Sequence, residues 1–83
     1  MKIDINKYRN NVTWIKNIID RERQMASFDK KKSIGLLSSA GSIPLIAVMH
    51  FYGELYGFDE ELKTSIKSVT KFYGYTEIVG NRE

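Results

Sequence analysis

Apolar residues recur at helical spacing in four segments of this chain, and short polar breaks separate the segments. The first apolar stripe advances by three or four residues at a time and consists of Ile5, Tyr8, Val12, Ile15 and Ile19, with Trp14 and Ile18 beside it and Met25 after a break at Glu22. Such spacing predicts an amphipathic helix, and Asp4 is a suitable N-cap for it. Helices are predicted over about residues 5–26, 30–40, 43–56 and 60–73, followed by a tail at residues 75–83.

The chain from residue 34 to residue 52 contains no Lys, Arg, Asp or Glu. A membrane-spanning helix needs about 20 such residues, so a membrane span is one interpretation. Gly41 followed by Ser42 and Pro44 instead indicates that one helix ends and another begins within the stretch. We therefore predict a soluble helical hairpin, in which Ser42 is the N-cap of the third helix and Pro44 lies in its first turn.

The third predicted helix is apolar on nearly every side and contains Ile43, Leu45, Ile46, Ala47, Val48, Met49 and Phe51. A helix without a polar face is buried, so the other helices are expected to pack around it. Either Gly53 or Gly57 is expected to end it. Asp29 and Asp59 are the expected N-caps of the second and fourth helices.

The buried stripe of the fourth predicted helix consists of Leu62, Ile66, Val69 and either Phe72 or Tyr73, and Gly74 ends that helix. Residues 75–79 favour either a short strand or a packed tail, while the alternation in residues 1–5 is too short to assign. Residues 81–83 are expected to fray. One all-α domain over residues 1–83 is thus predicted: a small four-helix bundle or an orthogonal helical bundle around the central apolar helix, with a short C-terminal extended segment as an option.

The composition narrows the chemistry that this chain can perform. Its 83 residues are enough for one small domain with one core. The absence of Cys excludes disulfides and thiolate metal sites, and a single His excludes a His-rich metal site or a His pair in acid–base catalysis. We therefore expect no enzymatic activity, no metal and no cofactor. His50 is expected to be a packed, hydrogen-bonded core residue.

Charge and the first residues bear on partners and location. The net charge of +3 and the pI near 9.2 give a mild preference for acidic partners. Residues 1–11 contain no apolar segment of the kind that a signal peptide requires, so we expect no signal peptide. Together with the lack of Cys, this predicts a cytoplasmic location.

Residues 33–52 have the outline of a helix–turn–helix element around Gly41. The outward positions of its second helix are Pro44, Leu45, Val48 and Met49. A recognition helix needs polar side chains that reach bases or phosphates, so DNA reading by this element is not expected.

Two groups of lysines form a candidate basic patch, and its members are Lys30, Lys31, Lys32, Lys63, Lys67 and Lys71. The last three are spaced by four residues and share one helix face. Such a patch suits phosphate or an acidic protein surface. The favoured interpretation is an ordinary solvated helix face, in which Glu60 pairs with Lys63.

Rings are dense near the ends of the third and fourth helices, where His50, Phe51, Tyr52, Tyr56, Phe58, Phe72, Tyr73 and Tyr75 are found. One end of a small core holds fewer rings than this, so some should be exposed. Tyr is common at interface hot spots, and the candidate partner-binding residues are Tyr52, Tyr56, Phe58, Tyr73 and Tyr75. The alternative is that all of these rings fill the core.

The leading functional hypothesis is a small, non-enzymatic interaction protein that binds another macromolecule, most directly a protein. Its expected form is a regulator or inhibitor of the kind that phages or mobile elements encode. If the chain forms a homodimer, the seam is expected at the aromatic cluster or at the small residues Gly35, Ser38, Ser39 and Ala40. Two alternatives stand beside it: a nucleic-acid-binding module that uses the lysines, and a membrane-associated or immunity-type helical protein.

Overall fold

The computed structural model describes residues 1–81, in which helices dominate and a two-stranded sheet joins the two ends of the chain. The elements in chain order are β1 (Lys2–Asp4), a 3-10 helix (Ile5–Asn11), α1 (Val12–Arg23), α2 (Lys30–Ser39), α3 (Leu45–Tyr56), α4 (Glu60–Phe72) and β2 (Glu77–Val79). The predicted class of a small, mostly helical bundle is confirmed. Within residues 1–81, none of the helices is both long enough and apolar enough to cross a membrane.

The first predicted helix is shorter and less uniform than its apolar stripe suggested. Asp4 caps it as predicted, because its carboxylate accepts a hydrogen bond from the Asn6 amide at 3.0 Å. The first turns are a 3-10 helix rather than an α-helix, in a segment rich in asparagine, which has a weak helix propensity. The α-helix ends at Arg23, and Met25 is 57% exposed, so the prediction that the stripe resumes there is wrong.

Helix α3 lies at the centre of the core, as predicted. Residues 46–53 are all buried, and Phe51 is the largest side chain that is completely enclosed. The residues that surround α3 come from every other helix and from β1, and include Ile3, Ile5, Ile15, Ile19, Ile34, Leu37, Leu62 and Ile66. Burial of this many large apolar side chains is the main stabilising contribution in a chain of this size.

A proline precedes α3, and a glycine with positive φ follows it. The helix begins at Leu45, and Pro44, whose ψ of 143° is extended, occupies the N-cap position. The predictions that Ser42 caps the helix and that Pro44 lies in its first turn are therefore wrong. It ends at Gly57, where φ is +99°. Gly53 lies inside the helix, and a Cβ at that position would collide with the Phe58 ring. Glycine at residue 53 therefore allows the close approach of the Phe58 ring and does not serve a turn.

Helix α4 begins as predicted, with the Asp59 carboxylate accepting the Leu62 amide at 2.7 Å. Leu62 and Ile66 are buried, but Phe72 is 81% exposed and Tyr73 is 53% exposed. The prediction that either residue completes the buried stripe is therefore wrong. Each step of three residues falls about 60° short of a full helical turn. Two such steps, from Ile66 to Val69 to Phe72, therefore rotate Phe72 by about 120° away from the face that Ile66 buries.

The two ends of the chain meet in a parallel two-stranded sheet, in which Ile3 pairs with Ile78. The β-prone C-terminal segment thus contains a strand, and so does the N-terminal alternation. The Thr76 amide donates to the Met1 carbonyl at 2.7 Å, just before the strands pair. Of the tail that was expected to fray, Asn81 is exposed and irregular, and residues 82–83 lie outside the described part of the chain.

Candidate interaction surfaces

The five aromatic residues predicted to bind a partner do not share one surface. Tyr52 is 8% exposed and packs beside Tyr56, with ring centroids 5.1 Å apart. The Tyr56 hydroxyl donates to the Asp20 carboxylate, and the Arg23 guanidinium lies 4.3 Å from the Tyr56 ring centroid. Burial and the bond to Asp20 raise the pKa of Tyr56 to about 12. These two tyrosines therefore have a structural role, because they pack the C-terminal part of α3 against α1.

The other three candidates lie at opposite ends of the α3–α4 hairpin. Phe58 follows the end of α3 and packs against His50, with ring centroids 5.6 Å apart. Tyr73 and Tyr75 follow α4 and line a pocket next to Pro44, where α3 begins. The prediction of a single aromatic cluster is wrong, because the turn between α3 and α4 sends their aromatic ends in opposite directions.

Phe72 is the most exposed of the large apolar residues that the structure describes, although the stripe of α4 predicted that either Phe72 or Tyr73 is buried. Its ring packs edge-on against Tyr73, with centroids 5.0 Å apart. On α4 it follows Ser65 by seven residues, so the two lie on the same side of the helix. In the sequence, Phe72 lies two helical turns after a polar residue, Ser65, and not two turns after the buried Ile66. That spacing is the signal that predicts an exposed Phe72.

The six candidate lysines divide into paired and unpaired groups. Lys30 bonds Asp59 at 2.7 Å, Lys31 bonds Glu61 at 2.9 Å, and Lys63 lies 3.5 Å from Glu60 as predicted. The bond between Lys30 and Asp59 raises the pKa of the lysine and lowers that of the carboxyl. Within residues 1–81, Lys32, Lys67 and Lys71 have no carboxylate partner. One continuous patch of six free cations is therefore not formed.

An apolar groove lies between α2 and α4, with α3 as its floor, and we call it the α2–α4 groove. Its volume is about 150 Å³, and it is lined by Ile34 and Gly35 of α2, Leu45 and Met49 of α3, and Leu62, Ser65 and Val69 of α4. The ion pair between Lys31 and Glu61 stands at its edge. A Cβ at Gly35 would meet nothing within 4 Å, so the groove is open at that point.

A second depression lies between α4 and β2, and we call it the α4–β2 groove. Its volume is about 490 Å³, and its lining includes Ile66, Lys67, Thr70, Lys71, Tyr75 and Ile78. Lys67 and Lys71 of α4, which have no carboxylate partner among the described residues, line one side of it, and the strand β2 forms the other. It is therefore the place where free cations, apolar side chains and a strand occur together.

Glu54 joins three parts of the structure in a partly buried polar cluster. Its carboxylate bonds the Arg9 guanidinium at 2.9 and 3.3 Å and lies 3.1 Å from the His50 ring nitrogen. His50 is 6% exposed, so it is packed and hydrogen-bonded as predicted. Within residues 1–81 no group of three or more His, Asp or Glu side chains is arranged to hold a metal ion.

Comparison with protein-family models, with curated proteins and with solved structures gave no match to this chain.

Proposed function

We propose that this chain is a small binding protein without a chemical step of its own, and that it acts by docking a protein partner in the α2–α4 groove. The observation that carries the proposal is the open apolar lining of this groove. Phe72, one helical turn after the lining residue Val69 on α4, leaves most of its ring in solvent and adds to the proposal. Exposed apolar surface of this kind is costly in water and is typical of interaction sites.

The size and lining of the groove define what enters it. A cavity of about 150 Å³ accepts one benzene-sized group. The lining is mostly aliphatic, so the group that fits is one bulky apolar side chain of the partner. Phe72, one turn beyond the lining residue Val69, would then contact the partner surface around that anchor. A buried anchor with aromatic neighbours is the usual composition of an interface hot spot.

The consequence for the partner is occlusion or tethering of the surface that carries the anchor side chain. This is the action of a small regulator or inhibitor, which is the form we propose for this chain, including its origin in a phage or mobile element. We propose a cytoplasmic location with it. A second copy of the chain would compete for the same groove, because Gly35, one of the small residues expected at a dimer seam, lines it.

Gly35 offers a test that leaves the core untouched. Gly35→Leu places a side chain in the groove where a Cβ meets no neighbour, while Gly35→Ala adds only a methyl group. A partner captured from host lysate is purified, and its affinity for the wild type and both variants is measured. We expect a loss of about tenfold or more with leucine, the scale at which a hot-spot contact is lost, and little change with alanine.

Three outcomes contradict the proposal. Equal affinity for the leucine variant and the wild type would remove the groove from the interface. Loss of capture after nuclease treatment would favour the nucleic-acid alternative, which uses the lysines. If the wild type forms a dimer that Gly35→Leu separates, the groove is a seam between copies of this chain.

A further inference from the structure

We propose that the α4–β2 groove binds an extended, acidic peptide segment, which adds to the outer edge of β2 as a third strand. This site shares no lining residue with the α2–α4 groove, and it consists of β2, two lysines of α4 and the apolar side chains between them. The proposal therefore stands or falls independently of the proposed function.

The edge of the sheet is open on this side. In the part of the chain that the structure describes, the sheet has two strands, and β1 is the only one that pairs with β2. The α4–β2 groove is lined by Glu77 and Ile78 of β2 and by no residue of β1. This lining supports a position at the edge of β2 that faces away from β1. A strand edge presents N–H and C=O groups to which an extended peptide can bond.

The charge of the groove is positive once its ion pairs are counted. Its charged lining residues are Lys67, Lys71 and Glu77. Glu77 is paired with Lys2, their charged atoms lying 3.2 Å apart, whereas the two lysines have no carboxylate partner within residues 1–81. An occupant that carries carboxylates therefore complements this surface.

The spacing of the lysines suits a strand that runs along α4. Residues four apart on a helix are separated by about 6 Å along its axis. Alternate residues of a strand, which point to the same side, are separated by about 6.6–6.8 Å. Lys67 and Lys71 would then meet carboxylates at every second position of the occupant.

The remaining lining favours a peptide over a nucleic acid. Ile66 and Ile78 offer apolar surface to the side chains of a peptide, and the edge of β2 offers backbone hydrogen bonds. A nucleic acid would use the lysines through its phosphates and would leave the strand edge without a partner. Only a peptide satisfies both features of the groove.

The test uses the full chain, labelled for NMR, and four probes. They are a short peptide that alternates Glu and Val, the same peptide with alternate backbone nitrogens methylated, a peptide that alternates Lys and Val, and oligouridylate. We expect the Glu-Val peptide to bind and to shift the amide signals of residues 77–79. The methylated and Lys-Val peptides should bind at least about tenfold more weakly, because each lacks one of the two contacts.

Matched variants separate the lysines of the groove from charge in general. Lys67→Glu combined with Lys71→Glu should weaken binding of the Glu-Val peptide by about tenfold or more, since two attractive contacts become repulsive. Lys32→Glu is the control, because Lys32 is also exposed and unpaired in the described residues but lies on α2. Gly35→Leu should leave binding of the Glu-Val peptide unchanged, because Gly35 lines only the α2–α4 groove. The effect of Gly35→Leu on the protein partner therefore tests the α2–α4 groove alone.

The proposal is overturned if the Glu-Val peptide does not bind the wild type, or if its methylated form binds equally well. Binding of oligouridylate in its place, with a steep dependence on salt, would assign the lysines to a nucleic acid instead.

Discussion

Arg9 of the 3-10 helix and Glu54 of α3 form an ion pair through two hydrogen bonds, although 45 positions separate them in the chain. Both side chains are mostly covered, with 18% and 17% of their surface exposed. Arg9 also donates to the Gly80 carbonyl, just beyond β2, and Glu54 contacts His50. The pair therefore ties the N-terminal segment, the central helix and the C-terminal strand into one unit.

Removing Glu54 should destabilise the fold. In Glu54→Ala, Arg9 and His50 lose their common acceptor in a site that water reaches poorly, and we expect the free energy of unfolding to fall by about 2–3 kcal/mol. Urea unfolding followed by circular dichroism measures the change. Lys63→Ala is the control, because it breaks an exposed pair and should change the stability little. Equal effects of the two substitutions would contradict the structural role of Glu54.

Two glycines inside helices should respond in opposite directions to alanine. Gly35→Ala adds a methyl group in open space and improves helix propensity, so it should stabilise the fold by about 0.5–1 kcal/mol. Gly53→Ala gains the same propensity but drives the Phe58 ring from its place beside His50, and a net loss of about 1–2 kcal/mol is expected. Thermal unfolding of the two variants decides this. A stabilised Gly53→Ala protein would show that the Phe58 contact is unimportant.

Tyr56 should make the fold sensitive to alkaline pH. Its pKa is raised to about 12, first by burial and then by the bond to Asp20, so the folded state holds the proton more tightly than the unfolded state. The stabilising contribution is complete below the pKa of a free tyrosine, about 10, and is lost as pH rises towards 12. Ultraviolet absorbance of tyrosinate should show a late ionisation from Tyr56, and that signal should be absent in Tyr56→Phe. A late signal that persists in the variant would assign it to another ring.

Asp59 should contribute to the loss of stability in acid. Its pKa is lowered by the bond from Lys30 and then by the Leu62 amide, so the folded state favours the carboxylate. That contribution is present above the ordinary pKa of an aspartate, about 4, and is lost as pH falls through the lower value. Asp59→Asn keeps an N-cap but not the charge, and its stability should depend less on pH in this range. Parallel acid titrations that coincide would contradict this role.

Features that depend on local chemistry were predictable from the sequence. Asp4, Asp29 and Asp59 were assigned as caps because each side chain satisfies amides only two or three residues ahead. The central position of α3 followed from its lack of a polar face. These features depend on residues that are close together in the sequence.

The candidate interaction surfaces could not be predicted, because they depend on contacts between segments that are far apart in the sequence. In the described part of the chain, β2 has one paired and one open edge because Ile3 of β1 pairs with Ile78 of β2. The sequence of either short segment by itself does not predict that pairing. Within residues 1–81 Lys67 has no carboxylate partner, and this depends on where each described carboxylate lies in space. The stripe of α4, continued from Val69 by a step of three or four, predicted that either Phe72 or Tyr73 is buried, but both are exposed because the core beneath α4 ends before them.

The central claim, that a protein partner docks at the α2–α4 groove, is tested most directly by site-specific photocrosslinking in host cells. A photoreactive phenylalanine analogue replaces Phe72 in one protein and the equally aromatic, exposed Trp14 of α1 in another. We predict that the analogue at residue 72 crosslinks one protein, that nuclease does not remove it, and that Gly35→Leu in the same chain abolishes it. Equal crosslinking from residue 14, or crosslinking that survives Gly35→Leu, would contradict the claim.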